Sequence, residues 1–205
     1  RNGAPDRDIR IRLGVYLAES GASSSRAIAL LEGLPAIDAE AQNGLGVALT
    51  HAGRLGGAAR AFRHVLVLDP TNGLALQNLA SLSLRQALAV RAEPERQNLL
   101  REAEALAERA IAADPLLPDV YTTMGVIYSS TGRPDRAIAS WKRAVALDAA
   151  QFNALYNLWA KLGETGPEAE AIQYGEQFVA TAPPALFSQD IVRVKVWLAQ
   201  RRAKR

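Results

Sequence analysis

Apolar residues recur along the chain at helical spacing, in paired stripes separated by short turns. Residues 43–72 show the arrangement clearly. Leu45 and Leu49 are four positions apart and therefore share one face of a helix. Gly53 follows as a turn residue, and a second apolar stripe then runs to Pro70, which stops a helix. The pattern predicts two consecutive helices rather than strands.

The same arrangement repeats along the chain. A Leu or Met followed by a small residue occurs at Leu13-Gly14, Leu45-Gly46, Leu79-Ala80 and Met124-Gly125, and Leu158-Trp159 takes this place in a fifth unit. An alanine follows within each of the later units, at Ala58, Ala103, Ala137 and Ala171. One helical hairpin cannot bury both of its apolar stripes, so the units are expected to stack.

These residues resemble the tetratricopeptide repeat, a helix–turn–helix unit of about 34 residues. The best matches are residues 43–72, with Gly46, Gly53, Ala58, Phe62 and Pro70, and the stretch from Met124 to Ala144. The resemblance covers about residues 7–184. It implies an all-α, right-handed superhelical solenoid of about five units, whose first helices line an inner surface. The departures are Ala149 for the closing proline, Trp159 for a small residue and Gly175 for a bulky one.

The expected organisation is a single domain spanning residues 1–205. Its units are predicted at about 7–37, 38–72, 73–117, 118–151 and 152–184, with a terminal capping helix at 185–203. The third unit is longer by eleven residues near 91–97, and we expect them to form longer helix ends around a break at Pro94. Two interpretations are open for this insertion: a protrusion that contacts a partner, or a tolerated extension of a surface turn.

The terminal helix is predicted from its apolar spacing. Phe187, Ile191, Val194 and Leu198 fall at i, i+4, i+7 and i+11, and this stripe is expected to cover the last unit. Val192, Val196 and Trp197 make a second side of the helix apolar. That side predicts a further contact with a partner, with a second copy of the chain or with another part of a longer protein.

The composition excludes several kinds of chemistry but does not change the predicted fold. The chain has 205 residues, of which 49% are hydrophobic, and it contains no cysteine. Disulfides, thiolate nucleophiles and cysteine-ligated metals are therefore excluded. The formal charge of +3 comes from four cations among the last five residues, Arg201, Arg202, Lys204 and Arg205, which leaves residues 1–200 at −1. Nucleic acid is not the expected partner, because such a cluster is typical of a solvated helix end.

Candidate catalytic groups are few. His51 and His64 are the only histidines, they are thirteen residues apart, and no second ligand stands at metal-binding spacing. The serines at 23–25 lack the context of a nucleophile elbow and suit a helix cap. No apolar run reaches the length needed to cross a membrane. We therefore expect no catalytic residue, no cofactor, no metal and no membrane span.

The resemblance implies a function in protein–protein interaction, with a peptide or a partner helix held by polar residues of the first helices. The candidate groove residues are Asn43, Gln77, Asn78, Ser81, Arg85, Thr122, Thr123, Tyr156 and Asn157, and the same helices also present Thr50, His51, Ser129 and Ser130. Asn78 and Asn157 occupy matching places, where an amide can both donate to and accept from a peptide backbone. The alternative is that these side chains are only solvated.

A second hypothesis treats the chain as a tetratricopeptide tail on a larger bacterial sulfatase- or phosphatase-type hydrolase. The Arg- and Ala-rich units, Pro183-Pro184 and the segment from Phe187 to Gln200 resemble such tails, and the hypothesis would account for the missing starting Met. In that case the active site would lie outside this chain. The extra apolar side of the terminal helix would then contact the rest of the parent protein.

Overall fold

The computed structural model describes residues 3–35 and 37–203, and these residues are α-helical with turns between the helices. The helices are α1 (Gly3–Glu19), α2 (Ser24–Leu31), α3 (Ala39–His51), α4 (Leu55–Leu68), α5 (Gly73–Ala89), α6 (Glu93–Ala113), α7 (Pro118–Ser130), α8 (Pro134–Leu147), α9 (Phe152–Thr165), α10 (Glu168–Thr181) and α11 (Pro184–Arg202). Backbone contacts divide the chain into two compact units, 1–115 and 116–205. The expected all-α fold is confirmed for the described residues.

Within each compact unit, consecutive helices form hairpins that stack through their first helices. In residues 1–115, α1 packs on α3 and α3 on α5, while α2, α4 and α6 pack beside their partners. In residues 116–205, α7, α9 and α11 take the role of first helices, with α8 and α10 between them. Gly53 and Gly132 end α3 and α7 with φ of +73°, as the sequence predicted from the positive φ that glycine tolerates.

Close crossing of the two helices in a hairpin depends on one small and one large residue, sixteen positions apart. A Cβ on Gly46 would lie 2.4 Å from the ring of Phe62, and a Cβ on Gly125 would lie 2.2 Å from Nε1 of Trp141. In the last hairpin the sizes are exchanged, since Trp159 is on the first helix and Gly175 on the second, and a Cβ on Gly175 would lie 2.8 Å from Trp159 Cδ1. The two departures from the repeat pattern therefore compensate each other.

The extra residues of the long third hairpin lengthen its two helices. α5 and α6 have 17 and 21 residues, whereas α3 and α4 have 13 and 14. The additions of four and seven residues amount to about one and two helical turns, so the apolar stripes continue on the same faces. Pro94 stands in the first turn of α6, where a missing backbone N–H costs nothing. The insertion is an extension of two packed helices rather than a longer loop.

An aspartate holds the turn at the end of the second helices. Asp69 Oδ1 accepts hydrogen bonds from the backbone N–H of Thr71 at 3.0 Å and from its hydroxyl at 2.9 Å, and the Thr71 hydroxyl bond is the main cause that lowers the pKa of Asp69. Asp148 Oδ1 accepts the backbone N–H of Ala150 at 2.9 Å. This carboxylate closes the turn without a proline, which explains why Ala149 is tolerated there.

The terminal segment is a helix, as its apolar spacing predicted. Ile191, Val194 and Leu198 are buried against α9 and α10, and the helix is kinked at Phe187, with φ −123° and ψ 23°. The division of the chain into five units and one domain stays a prediction.

Candidate functional site

A polar cleft lies between the first helices α3 and α5. Its polar lining consists of Thr50 and His51 from α3 and of Asn78, Ser81 and Arg85 from α5, above an apolar floor of Val47, Phe62 and Leu82. The three α5 residues stand at i, i+3 and i+7, which places them on one helix face. The cleft encloses about 160 Å³. Sequence reasoning had placed these five polar residues on this surface, and the structure brings them together.

An amide bridge links the two helices at one end of this cleft. The side-chain Nδ2 of Asn78 donates to Oδ1 of Asn43 at 3.2 Å. The bond uses one of the two amide donors of Asn78, so further hydrogen-bonding capacity remains for a ligand. Arg85 is exposed at the other end, and no carboxylate is among the described residues that line the cleft. The cleft thus offers donors and positive charge, which suit carbonyl and carboxylate oxygens.

Two candidate residues lie in different surroundings from those that the sequence predicted. Gln77 and Thr123 are each only 8% exposed. Gln77 directly precedes Asn78, and consecutive helical residues point about 100° apart, so the face that presents Asn78 turns Gln77 into the packing. Its Oε1 is buried and has no hydrogen-bond partner among the described residues. Neither side chain is presented to a ligand in this arrangement.

The remaining candidates lie in the second compact unit. The hydroxyl of Thr122 on α7 donates to Oε1 of Gln151 at 3.0 Å, and Nε2 of Gln151 donates to Asp119 at 3.0 Å. Thr122 is thus tied into a polar network at the start of α9. Asn157 on α9 is half-buried. The structure does not bring Asn157 into the same cleft as Tyr156, whose surroundings are aromatic.

An aromatic cleft lies between α9 and α11. Its lining residues are Tyr156, Trp159, Ala160, Gly163 and Glu164 from α9, with Arg193 and Trp197 from α11, and its volume is about 270 Å³. The rings of Trp159 and Trp197 meet edge to face with centroids 5.9 Å apart, and those of Tyr156 and Trp159 are 5.2 Å apart. The guanidinium of Arg193 donates to the Tyr156 hydroxyl, and this bond is the main cause that raises the pKa of Arg193.

Arg193 is a site residue that sequence reasoning missed. Buried Ile191, Val194 and Leu198 on α11 repeat the spacing of Leu155, Leu158 and Leu162 on α9. α11 is therefore placed like a first helix. Arg193 directly precedes Val194, just as Asn78 directly precedes Leu79, so Arg193 and Asn78 occupy matching places. The bond from Arg193 to Tyr156 repeats the bridge from Asn78 to Asn43. The shared apolar spacing was the signal that could have revealed it.

The cations near the end of the chain contact its own residues. The guanidinium of Arg201 lies 4.2 Å from the ring centroid of Trp197, and Arg202 Nη2 lies 2.7 Å from Glu176 Oε1. The other two members of the predicted basic cluster, Lys204 and Arg205, fall outside the described residues.

Metal-binding and membrane-spanning features are absent from residues 3–35 and 37–203. No group of three or more His, Cys, Asp or Glu side chains within these ranges could hold a metal ion. Nor does any helix there combine the length and the apolar character that crossing a bilayer requires.

Known proteins support the resemblance at the level of fold and of one repeat. Residues 118–151 match the family model of the tetratricopeptide repeat. The crystal structure of a thermophilic tetratricopeptide protein from Thermus thermophilus superposes with a TM-score of 0.76 at 21% identity, covering 95% of this chain and 97% of that chain. MamA gives a TM-score of 0.60 at 20% identity, with 79% and 90% covered. MamA from AMB-1 gives 0.58 at 20% identity, with 84% and 96% covered.

A search of curated proteins finds no significant match to this chain. At these identities the solved structures establish the fold alone. The fold is that of the tetratricopeptide repeat, as the resemblance implied, and it places a polar cleft in one compact unit and an aromatic cleft in the other.

Proposed function

We propose that this chain is a noncatalytic protein-interaction module, which holds an extended peptide or a helix of a partner protein against its first helices. The observation that carries the proposal is the polar cleft, where Asn78 and Arg85 lie on one face of α5 beside Thr50 and His51. Hydrogen-bond donors without an opposing carboxylate suit the carbonyl oxygens of a peptide backbone and acidic side chains. Asn157 and Thr122 belong to the same proposal in the second compact unit.

The charge on Arg85 gives the proposal a direct test. The variant Arg85→Glu reverses the charge in the polar cleft, and we expect partners to bind at least about tenfold more weakly, since a hydrogen bond to a charged group contributes roughly 1.5–3 kcal/mol. The measurement is quantitative mass spectrometry of proteins retained from source-cell lysate on the immobilised chain. Asn78→Ala is expected to act in the same direction with a smaller effect.

Arg101→Glu is the matched control. It makes the same charge change at an exposed position of α6, away from the cleft, and should leave retention unchanged. Circular dichroism of each variant checks that the helices are intact. A partner retained equally by the Arg85→Glu and Arg101→Glu variants would contradict binding in the polar cleft.

Two other functional hypotheses from the sequence have less support. The similar structures named above are not sulfatases or phosphatases, so they lend no support to the hypothesis of a hydrolase tail. Of the three residues predicted to form a second apolar side of the terminal helix, Val192 and Val196 are exposed, by 60% and 52%, whereas Trp197 is half-buried against Trp159. Contact of that side with a second copy or another domain stays a prediction.

A further inference from the structure

The aromatic cleft lies at the end of a continuous series of ring contacts. Phe152 meets Phe187 at 5.7 Å between centroids, and Phe187 meets Phe178 at 5.6 Å, both edge to face. The series continues from Phe178 through Tyr156 and Trp159 to Trp197, with centroid distances of 5.6, 5.2 and 5.9 Å. Rings prefer such edge-to-face geometry because positive edges meet negative faces. The last three rings also line the cleft, so another ring could join the series there.

Glycine keeps this cleft open. Gly163 stands in the interior of α9, and a Cβ at this position would lie 3.1 Å from Cζ2 of Trp197. A larger side chain would therefore push against the indole or fill the space between the two helices. The resulting volume of about 270 Å³ has room for one large side chain of a ligand.

The charges at the rim favour a neutral occupant. Glu164 is paired with Lys161 at 2.7 Å, and Arg193 lies 3.6 Å from Asp190 besides donating to Tyr156. A cationic ligand would be repelled by the guanidinium of Arg193. An anionic ligand would have to lie against the negative faces of the aromatic rings, which is unfavourable. Each charge in the lining thus has its counter-ion within the chain, and the rest of the lining consists of three aromatic rings with Ala160 and Gly163.

One wall also contains a hydrogen-bond donor that is not used. Trp159 is only 6% exposed, and its Nε1 has no hydrogen-bond partner among the described residues. The indole of Trp141, which stands on the second helix of the preceding hairpin, instead donates to the carbonyl oxygen of Thr122 at 3.2 Å. A buried donor without a partner is costly, but this nitrogen is itself closed off from solvent, so a ligand in the cleft would meet the ring of Trp159 rather than its N–H.

We infer that the aromatic cleft between α9 and α11 binds an aromatic side chain of a peptide partner. The inference rests on the proposed interaction function and names the side-chain class that this cleft selects. The ring enters against Trp159 and Trp197, with Gly163 providing the space.

The test uses acetyl-Gly-Phe-Gly-amide as the probe, with the Leu, Arg and Ala peptides of the same length as comparisons. Two-dimensional ¹⁵N NMR of the full chain follows the indole N–H signals of Trp159 and Trp197 and the backbone N–H of Gly163. We expect saturable shifts with the Phe peptide, and binding about 2- to 12-fold tighter than with the Leu peptide, which is the range that aromatic pairing contributes beyond burial. The Arg and Ala peptides should bind more weakly still.

Three variants sharpen the test. Gly163→Leu fills the cleft and should abolish the shifts, while Trp197→Leu keeps an apolar wall and should remove the preference for Phe over Leu. Val196→Leu changes a neighbouring exposed residue of α11 outside the lining and should leave binding unchanged. Dispersion of the remaining NMR signals shows whether each variant is folded. If the Gly163→Leu variant does not fold, the Trp197→Leu variant tests the inference by itself.

Several outcomes would overturn the inference. These are tightest binding of the Arg peptide, equal binding of the Phe and Leu peptides, unchanged shifts in folded Gly163→Leu, or no saturable shift with any probe. The Arg85→Glu variant should bind the Phe probe like the unaltered chain, because Arg85 lies in the other compact unit. Failure of the aromatic cleft and failure of the polar cleft are therefore distinguishable.

Discussion

Gly125→Ala is expected to lower the free energy of unfolding of residues 116–205 by about 1–3 kcal/mol, the cost typical of overpacking. Alanine is the better helix former by about 1 kcal/mol, so propensity alone predicts the opposite sign. Packing decides the outcome because the added Cβ would lie 2.2 Å from Nε1 and 2.4 Å from Cδ1 of Trp141. That ring is 3% exposed and has no room to withdraw without losing its bond to Thr122.

Tryptophan fluorescence during urea unfolding measures this effect in the right part of the chain. All three tryptophans, Trp141, Trp159 and Trp197, lie in the compact unit 116–205. Far-UV circular dichroism, by contrast, reports helices of both units. The midpoint of the fluorescence transition should fall in the variant, and an unchanged or higher midpoint would contradict the close crossing of α7 and α8.

Two controls separate overpacking from other effects. In a Trp141→Ala background the same Gly125→Ala change should cost much less, because the clashing ring is gone, and the double-mutant cycle isolates this coupling. Gly56→Ala in α4 adds a Cβ whose nearest atom is Nη1 of Arg60 at 4.0 Å. It should be neutral or stabilise by up to about 1 kcal/mol, as propensity predicts in open space. Because Gly56 lies in residues 1–115, its effect is followed by far-UV circular dichroism rather than by tryptophan fluorescence.

The pattern of small and large residues explains why so much of the fold was predictable from sequence. Gly46 and Gly125 mark helix crossings that only a small residue permits, and Gly53 and Gly132 mark turns that need positive φ. These are local requirements that leave a trace at fixed spacing. The exchanged pair Trp159 and Gly175 could not be understood in the same way, because each residue alone departs from the pattern. Only their contact shows that one departure compensates the other.

The candidate site was only partly predictable, for a related reason. Helical periodicity identified the face of α5 that presents Asn78 and Arg85. It did not show that Gln77, the residue next to Asn78, is buried and lies outside the cleft. Arg193 was missed because α11 was interpreted as a cap, although it packs like a further first helix. Which side chains converge in a cleft depends on contacts between helices, and a single repeat pattern does not encode them.

Phe178→Ala is expected to be the most damaging single substitution considered, at about 3–5 kcal/mol, the usual cost of truncating a buried phenylalanine. Phe178 on α10 is 0% exposed, and its ring meets Tyr156 of α9 and Phe187 of α11 at 5.6 Å each. Three helices therefore lose contacts with one ring. The loss should lower the midpoint of urea unfolding followed by tryptophan fluorescence.

The matched control for Phe178→Ala is Leu186→Ala, since Leu186 is 78% exposed on α11. Its effect should stay within about 0.5 kcal/mol, as for most surface substitutions. An equal effect of the two substitutions would contradict the packing of α11 on α10. Because Phe178 supports the ring of Tyr156, folded Phe178→Ala protein should also bind the Phe probe more weakly, whereas Leu186→Ala protein should not. Phe178 would then support both the packing of three helices and the ring of Tyr156 that lines the aromatic cleft, which links stability to the proposed binding.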